Sequence, residues 1–201
     1  MARYRTDAGP VTVAPATGAR WKDLQTVLGA RGQAAKCQCQ RAILPLRDYW
    51  HMPREVREAF LHGEVFAPEP APGLLAYLDR EPVDWCRLGP RSRFAPLRNS
   101  PVPWAGRTED RDDAGVWAVV CFVVRAGYRR RGIGGALAAA AVDFARSQGA
   151  GALEGYPMLT SGTDIPWGEL HVGAHGAFAA AGYREITRPT KRRCVMRIDF
   201  G

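Results

Sequence analysis

The chain has 201 residues, 46% hydrophobic and 24% charged, with a formal net charge of +8; this balance suits one globular domain over 1–201 and excludes a disordered, collagenous or disulfide-scaffold protein. The basic excess is scattered, clustering only at Arg129–Arg131 and Lys191–Arg193, which speaks against nucleic acid as a partner and for an anionic ligand plus a solvated basic surface. No apolar run approaches the roughly 18 residues of a membrane helix, MARYRTDAGP lacks a secretory core, and an odd set of five cysteines suits a reducing cytoplasm.

In chain order, residues 1–9 read as a loose tail and Val11-Thr12-Val13 as a short strand. Thr17 or Gly18 opens a helix through Leu28, with Trp21, Leu24 and Leu28 at helical spacing. Cys37-Gln38-Cys39-Gln40 follows. A structural zinc site would need a second paired cluster, which is absent, so the spacing predicts no metal and leaves small, half-buried thiols in a strand or turn. Pro53 suits the first turn of a helix reaching His62, with Val56, Phe60 and Leu61 inward and Gly63 as its stop; His51 and His62 read as solvated. Ala67–Gly73 reads as a surface connection. Leu74–Leu78 and Pro82–Leu88 flank the polar turn Asp79-Arg80-Glu81, which is a hairpin pattern. Residues 89–115, with their arginines, prolines and acidic turn Glu109–Asp113, form a long excursion.

Val116–Val124 is an unbroken apolar run rich in β-branched residues, too short for a capped helix, and therefore a central strand buried on both faces. After a turn comes Arg129-Arg130-Arg131-Gly132-Ile133-Gly134-Gly135, opening a helix with Ile133, Leu137, Ala140, Ala141 and Phe144 on one stripe and Gly149 as its stop. Glycines there let the backbone approach a ligand, and the orphan N–H groups of a helix start favour an anion such as phosphate. The spacing fits neither a dinucleotide loop, since Leu137 stands where the third glycine belongs, nor a Walker loop, which needs Lys-Ser or Lys-Thr.

Strand, Arg129-x-x-Gly132-x-Gly134 and alanine-rich helix together resemble the signature of the GNAT superfamily of acetyl-CoA-dependent N-acetyltransferases. The resemblance is strongest over 74–200 and covers 10–73 only by order of elements. It implies an α/β (α+β) fold with a mixed, mostly antiparallel sheet splayed between its fourth and fifth strands and flanked by helices. In that scheme Ala152–Met158 is the fifth strand, Leu170–Tyr183 a helix motif, and Tyr183–Arg188 and Cys194–Phe200 the last strands. Asp84 departs from the usual small residue of the hairpin. Residues 10–73 supply acceptor-side helices, 89–115 are either the acceptor rim or a solvated loop, and Cys37-x-Cys39-Gln40 could take part in acceptor recognition.

The resemblance assigns acetyl-CoA as co-substrate, with Phe122, Val123, Val124, Arg129, Arg130, Arg131, Gly132, Ile133, Gly134, Gly135, His171 and Phe178 around it. It implies transfer of an acetyl group to a primary amine, on a small molecule or protein, by direct attack in a ternary complex. A homodimer is compatible with it. The family's acid–base positions fall on Ala118 and Phe178, which exchange no proton, so His171 and His175 are the proposed substitutes. Glu154, Glu169, Tyr156, Cys121 and the turn at Glu109–Asp113 are further candidates. The missing groups also motivate a second reading, a non-catalytic acyl-CoA sensor or scaffold.

Overall fold

The computed structural model describes residues 1–67, 70–160 and 167–201. Its strands are β1 (Ala2–Thr6), β2 (Gly9–Pro15), β3 (Gly73–Leu78), β4 (Glu81–Pro90), β5 (Val116–Val124), β6 (Ala152–Gly155), β7 (Arg184–Thr187) and β8 (Val195–Asp199). Its helices are α1 (Trp21–Leu28), α2 (Gly32–Cys37), α3 (Leu46–His51), α4 (Arg54–Phe66), α5 (Ala95–Asn99), α6 (Pro101–Trp104), α7 (Ile133–Ser147) and α8 (His175–Ala180). The strands form one sheet of eight in the order β1-β2-β3-β4-β5-β6-β8-β7. Among the described strand pairs only β5–β6 is parallel, which is what a helical crossover through α7 requires.

Both faces of the sheet are covered, which is why β5 is apolar throughout and buried from Val116 to Phe122. On one face Trp117, Val119 and Phe122 pack with Ile133, Leu137 and Ala141 of α7. The alanines along α7 let its backbone lie close to the strands. On the other, Ala118, Val120 and Cys121 meet Leu24 and Leu28 of α1 and Leu61 and Val65 of α4. A bulge at Arg87/Leu88 makes Cys121 pair with Arg87 and Val119 with Leu88. The unmatched Val120 therefore turns to the same side as Cys121.

The structure departs from sequence expectation in several places. Residues 1–9 are no loose tail: β1 pairs with β2 through a tight turn, and Tyr4 donates to Asp143 Oδ2 of α7 at 2.7 Å. This added strand shifts the count, so the splay falls between β5 and β6. Gly63 does not stop α4, because burial of Leu61 and Val65 one turn apart outweighs the roughly 1 kcal/mol that a mid-helix glycine costs. Val56 and Phe60, expected inward, are exposed. Within 89–115 the chain folds into α5, α6 and a 3-10 turn at Arg91–Arg93, with Trp104 buried beneath Arg91, Arg107 and Arg111. The connection at Ala67–Gly73 lies partly outside the described residues.

Asp84 is fully buried, accepts the Trp85 N–H at Oδ1 (2.8 Å), and leaves Oδ2 without a partner. Burial raises its carboxyl well above the ordinary range, although the Trp85 N–H pulls the other way. A folded-state value raised in this way contributes stability below the unfolded value near ~3.9, and that contribution is lost as pH rises towards the folded value, at about 1.4 kcal/mol per pH unit. Asp84→Asn is therefore expected to gain on the parent chain as pH rises across that window, measured by urea melts at stepped pH. A constant difference between the two proteins would contradict this.

Candidate active site

β6 runs beside β5 only from Val116↔Ala152 to Val119↔Gly155, whereas β5 continues to Val124 on its β4 side. Among the described residues, no strand therefore flanks 120–124 on the β6 side, and the sheet opens there in a V. Phe122, Val123 and Val124 border the opening. At its apex Gly155 has no room for a side chain, since a Cβ there would come within 2.1 Å of the Phe178 ring. Phe178 is fully buried and stands edge-on to both Phe122 (5.7 Å) and Tyr183 (4.9 Å).

The chain leaving β6 crosses to the last strands. Met158 donates to Gly173 O and accepts from His175 N, each at 2.9 Å, and bridges Arg193 on its other side. The stretch Leu170–Tyr183, expected as one helix motif, is divided. A 3-10 turn spans Trp167–Val172, Gly173 takes a left-handed φ of +86°, and α8 begins only at His175. A Cβ at Gly173 would meet Phe178 at 2.7 Å and Phe122 at 3.1 Å, so the break lets the segment press into the V. His171 and His175 consequently lie on different elements. His171 is half-buried in the 3-10 turn, and His175 Nε2 is 3.7 Å from Glu185 Oε2 on β7.

At the tip of β5 the loop turns through left-handed Gly127, Arg130 and Gly132 before α7 starts. Tyr128 is flanked by the Arg125 and Arg131 guanidiniums, each 5.5 Å from its ring. Gly132 O accepts from Gly135 N (3.0 Å) and Ala136 N (3.2 Å), which leaves Ile133 and Gly134 N–H without an intrahelical acceptor. Gly134 is open, with nothing within 4 Å of an added Cβ. Gly132 instead faces Thr6 and Asp7 of the β1–β2 turn. Arg129, Arg130 and Arg131 are exposed around this helix start. The residues present thus fit a diphosphate: donors, a small-residue cradle and cationic side chains.

Glu154 on β6 sits directly across from Ala118 of β5. Its carboxylate is fully buried and accepts from Arg91 (3.2 Å), Arg197 (2.8 Å), the Tyr156 hydroxyl (2.9 Å) and Arg107. Burial opposes its charge, yet hydrogen bonding from Arg107 and the charges of Arg107 and Arg91 hold the carboxyl below its usual value. A carboxylate so committed is a weak proton acceptor at neutral pH, so this candidate base is an anchor. Glu109 joins the same cluster through Arg107 and Arg197, and a hollow of about 510 Å³ lined by Arg107, Glu109, Thr187 and Arg197 opens beside it. Glu169 pairs with Arg192 at 2.7 Å.

For metals, His175, Glu185 and Cys194 bring their donor atoms within 4.8 Å of one another. Arg188 already holds both Glu185 oxygens at 2.8 Å, and burial pushes the Cys194 thiol up to about 11. The arrangement is an ion-pair network with a protonated thiol, a poor donor set for a cation. The cluster of arginines on Glu154 and the Glu185 network escaped sequence reading because their members stand far apart in the chain.

A mixed sheet opened beside a central bulged strand, with a glycine-rich helix start at its mouth, is the framework of an acyl-carrier-dependent transferase. The model of the Acetyltransferase (GNAT) family matches residues 40–156, more than half of the chain, and the protein belongs to that family of acetyl-CoA-using enzymes. Among solved structures it is similar in fold to the GNAT domain of S. lividans PAT (15% identity, 99% of this chain and 96% of that one, TM-score 0.53). The GCN5-related N-acetyltransferase of Kribbella flavida is similar too (18%, 94% and 98%, 0.53), as is an agmatine N-acetyltransferase (16%, 94% and 99%, 0.53). No curated protein matches the sequence. Among the described residues, no helix is long and apolar enough to cross a membrane.

Proposed function

We propose that this chain is an N-acetyltransferase that carries an acetyl group from acetyl-CoA to a primary amine by direct attack within a ternary complex. The observation that supports it most is the start of α7, open at Gly134 and with Arg129–Arg131 exposed around it, at the mouth of the β5–β6 opening. In this reading Arg129–Gly135 hold the diphosphate, and Phe122–Val124 and Phe178 border the acyl-bearing arm. The thioester supplies an activated acetyl group; the protein supplies position and backbone dipoles. Bringing two reactants together is worth about 7–11 kcal/mol, against about 3–5 kcal/mol for acid–base help, so Ala118 and Phe178 do not forbid turnover. His171 and His175 are the proton-handling candidates, and alanine variants with an unchanged pH profile would remove them. The acceptor is an amine on a small molecule or protein, and the reading is compatible with a cytoplasmic homodimer.

Calorimetry with coenzyme A, followed by thiol release from acetyl-CoA across a panel of amines, tests the proposal. Uptake of coenzyme A with amine-dependent thiol release is the expected result. Uptake without release would favour the sensor or scaffold reading, which the absence of a proton-exchanging side chain at 118 and 178 motivates. No uptake would overturn both.

A further inference from the structure

The tetrapeptide Cys37-Gln38-Cys39-Gln40 plays no part in the scheme above, yet the fold builds it with care. Gln38 and Cys39 are consecutive non-glycine residues in the left-handed region, at φ 48° and 51°. Such conformations are strained for a residue with a side chain and persist only where surroundings over-determine them. Here Gln38 is fully buried, bonded to Gln25 and to Ala35 O at 3.0 Å, and Gln40 donates to Glu64 at 3.0 Å. The corner they clamp drives Cys39 inward until its sulfur lies 3.6 Å from that of Cys121.

Cys121 stands on β5 at the bulge, next to Phe122, 82 positions along the chain from its partner. The Trp85 indole N–H points at Cys39 Sγ at 3.2 Å. Behind the pair, Arg87 is 1% exposed; one nitrogen binds Glu64, while Nε and Nη1 have no partner. The indole donor and the Arg87 charge both favour a thiolate at Cys39, with Glu64, the ion-pair partner of Arg87, acting against them.

We propose that Cys39 and Cys121, buried together on the α1 and α4 face of the sheet, form a dithiol–disulfide couple, a redox modification site for small peroxides. The Cys39 thiolate attacks a peroxide oxygen: an S–O bond forms, the O–O bond breaks, and the leaving hydroxide takes a proton to become water. The Cys121 sulfur then attacks the oxidised Cys39 sulfur, its proton leaving with the departing hydroxide as a second water. Two thiols lose two electrons, hydrogen peroxide gains them, and one S–S bond results. The hydrogen bond from Cys121 lowers the Cys39 thiol against the opposing effect of burial, with Arg87 and Trp85 assisting, while Cys121 is raised well above its ordinary value. Geometry assigns the roles: the Trp85 indole donates to Cys39, the attacking sulfur, whereas the Cys121 thiol is directed to Phe122 O and serves as the resolving one. Cys86 and Cys194 belong to the core on the other face of the sheet, and Cys37 is half-buried with its thiol raised by burial and by Cys39. The couple does not depend on which amine, if any, the protein acetylates.

The test treats the full chain with a modest excess of hydrogen peroxide and follows intact mass and cross-linked peptides under non-reducing conditions. Loss of two hydrogens, mapped to Cys39–Cys121 and reversed by dithiothreitol, is the expected result. Cys39→Ser and Cys121→Ser should each abolish it, and Cys37→Ser should not. Addition of oxygens alone, a Cys37–Cys39 bridge, or no change in the parent chain would each overturn the proposal, without reliance on a variant that might misfold.

Discussion

Gly134→Asp is expected to abolish useful coenzyme A binding while leaving the fold intact. Gly134 is the second helical residue of α7, and an added Cβ meets nothing within 4 Å, so the side chain enters open space. An acid in the first turn of a helix stabilises it by about 0.3–1 kcal/mol. The same carboxylate would stand where the diphosphate is proposed to bind. Like charges about 4 Å apart cost roughly 4 kcal/mol near a protein surface, which is close to three decades in affinity. Calorimetry should show at least about a hundredfold weaker uptake beside an unchanged or slightly raised melting temperature. Unchanged affinity would show that the anion does not sit at this helix start.

Glu154→Gln should produce the opposite pattern, a loss of stability. The substitution leaves the buried Arg91 and Arg107, with Arg197, around a neutral amide; the exposed Glu109 remains to offset them, and Asp199 offsets Arg197 alone. Breaking a buried ion pair by removing one partner costs about 3–5 kcal/mol, a large share of the roughly 5–15 kcal/mol that holds a domain together. Glu109→Gln, at an exposed carboxylate, should cost no more than about 1 kcal/mol. The sign with pH follows from the depressed value of Glu154: its contribution is present above the unfolded value near ~4.3 and fades as pH falls towards the folded one. Urea melts from neutral to acid pH should show the parent and Glu154→Gln converging at low pH. Equal stability at neutral pH would mean that the arginines find other partners.

Local chemistry was readable wherever a few consecutive residues carry it. The apolar run Val116–Val124, the hairpin around Asp79–Glu81 and the glycines opening α7 each declare their element by periodicity or by backbone need. A local cue misleads where its surroundings outweigh it. Gly63 reads as a helix stop until Leu61 and Val65 are seen to bury, and Ala2–Thr6 reads as a tail until β2 and Asp143 receive it. Leu170–Tyr183 keeps a helical cadence across Gly173, yet that residue is left-handed and packed where a Cβ would strike Phe122 and Phe178, and the helix begins only beyond it.

What the amino-acid order decided alone is the central apolar strand and the glycine-rich start of α7, because both follow from side-chain period and from glycine's freedom within a dozen residues; the class of fold came with the resemblance that this stretch carries. Which carboxylate is an anchor and which cysteines face each other could come only from the folded sheet. The arginines meet Glu154, and Cys39 meets Cys121, through pairing and burial between segments that no short-range pattern connects.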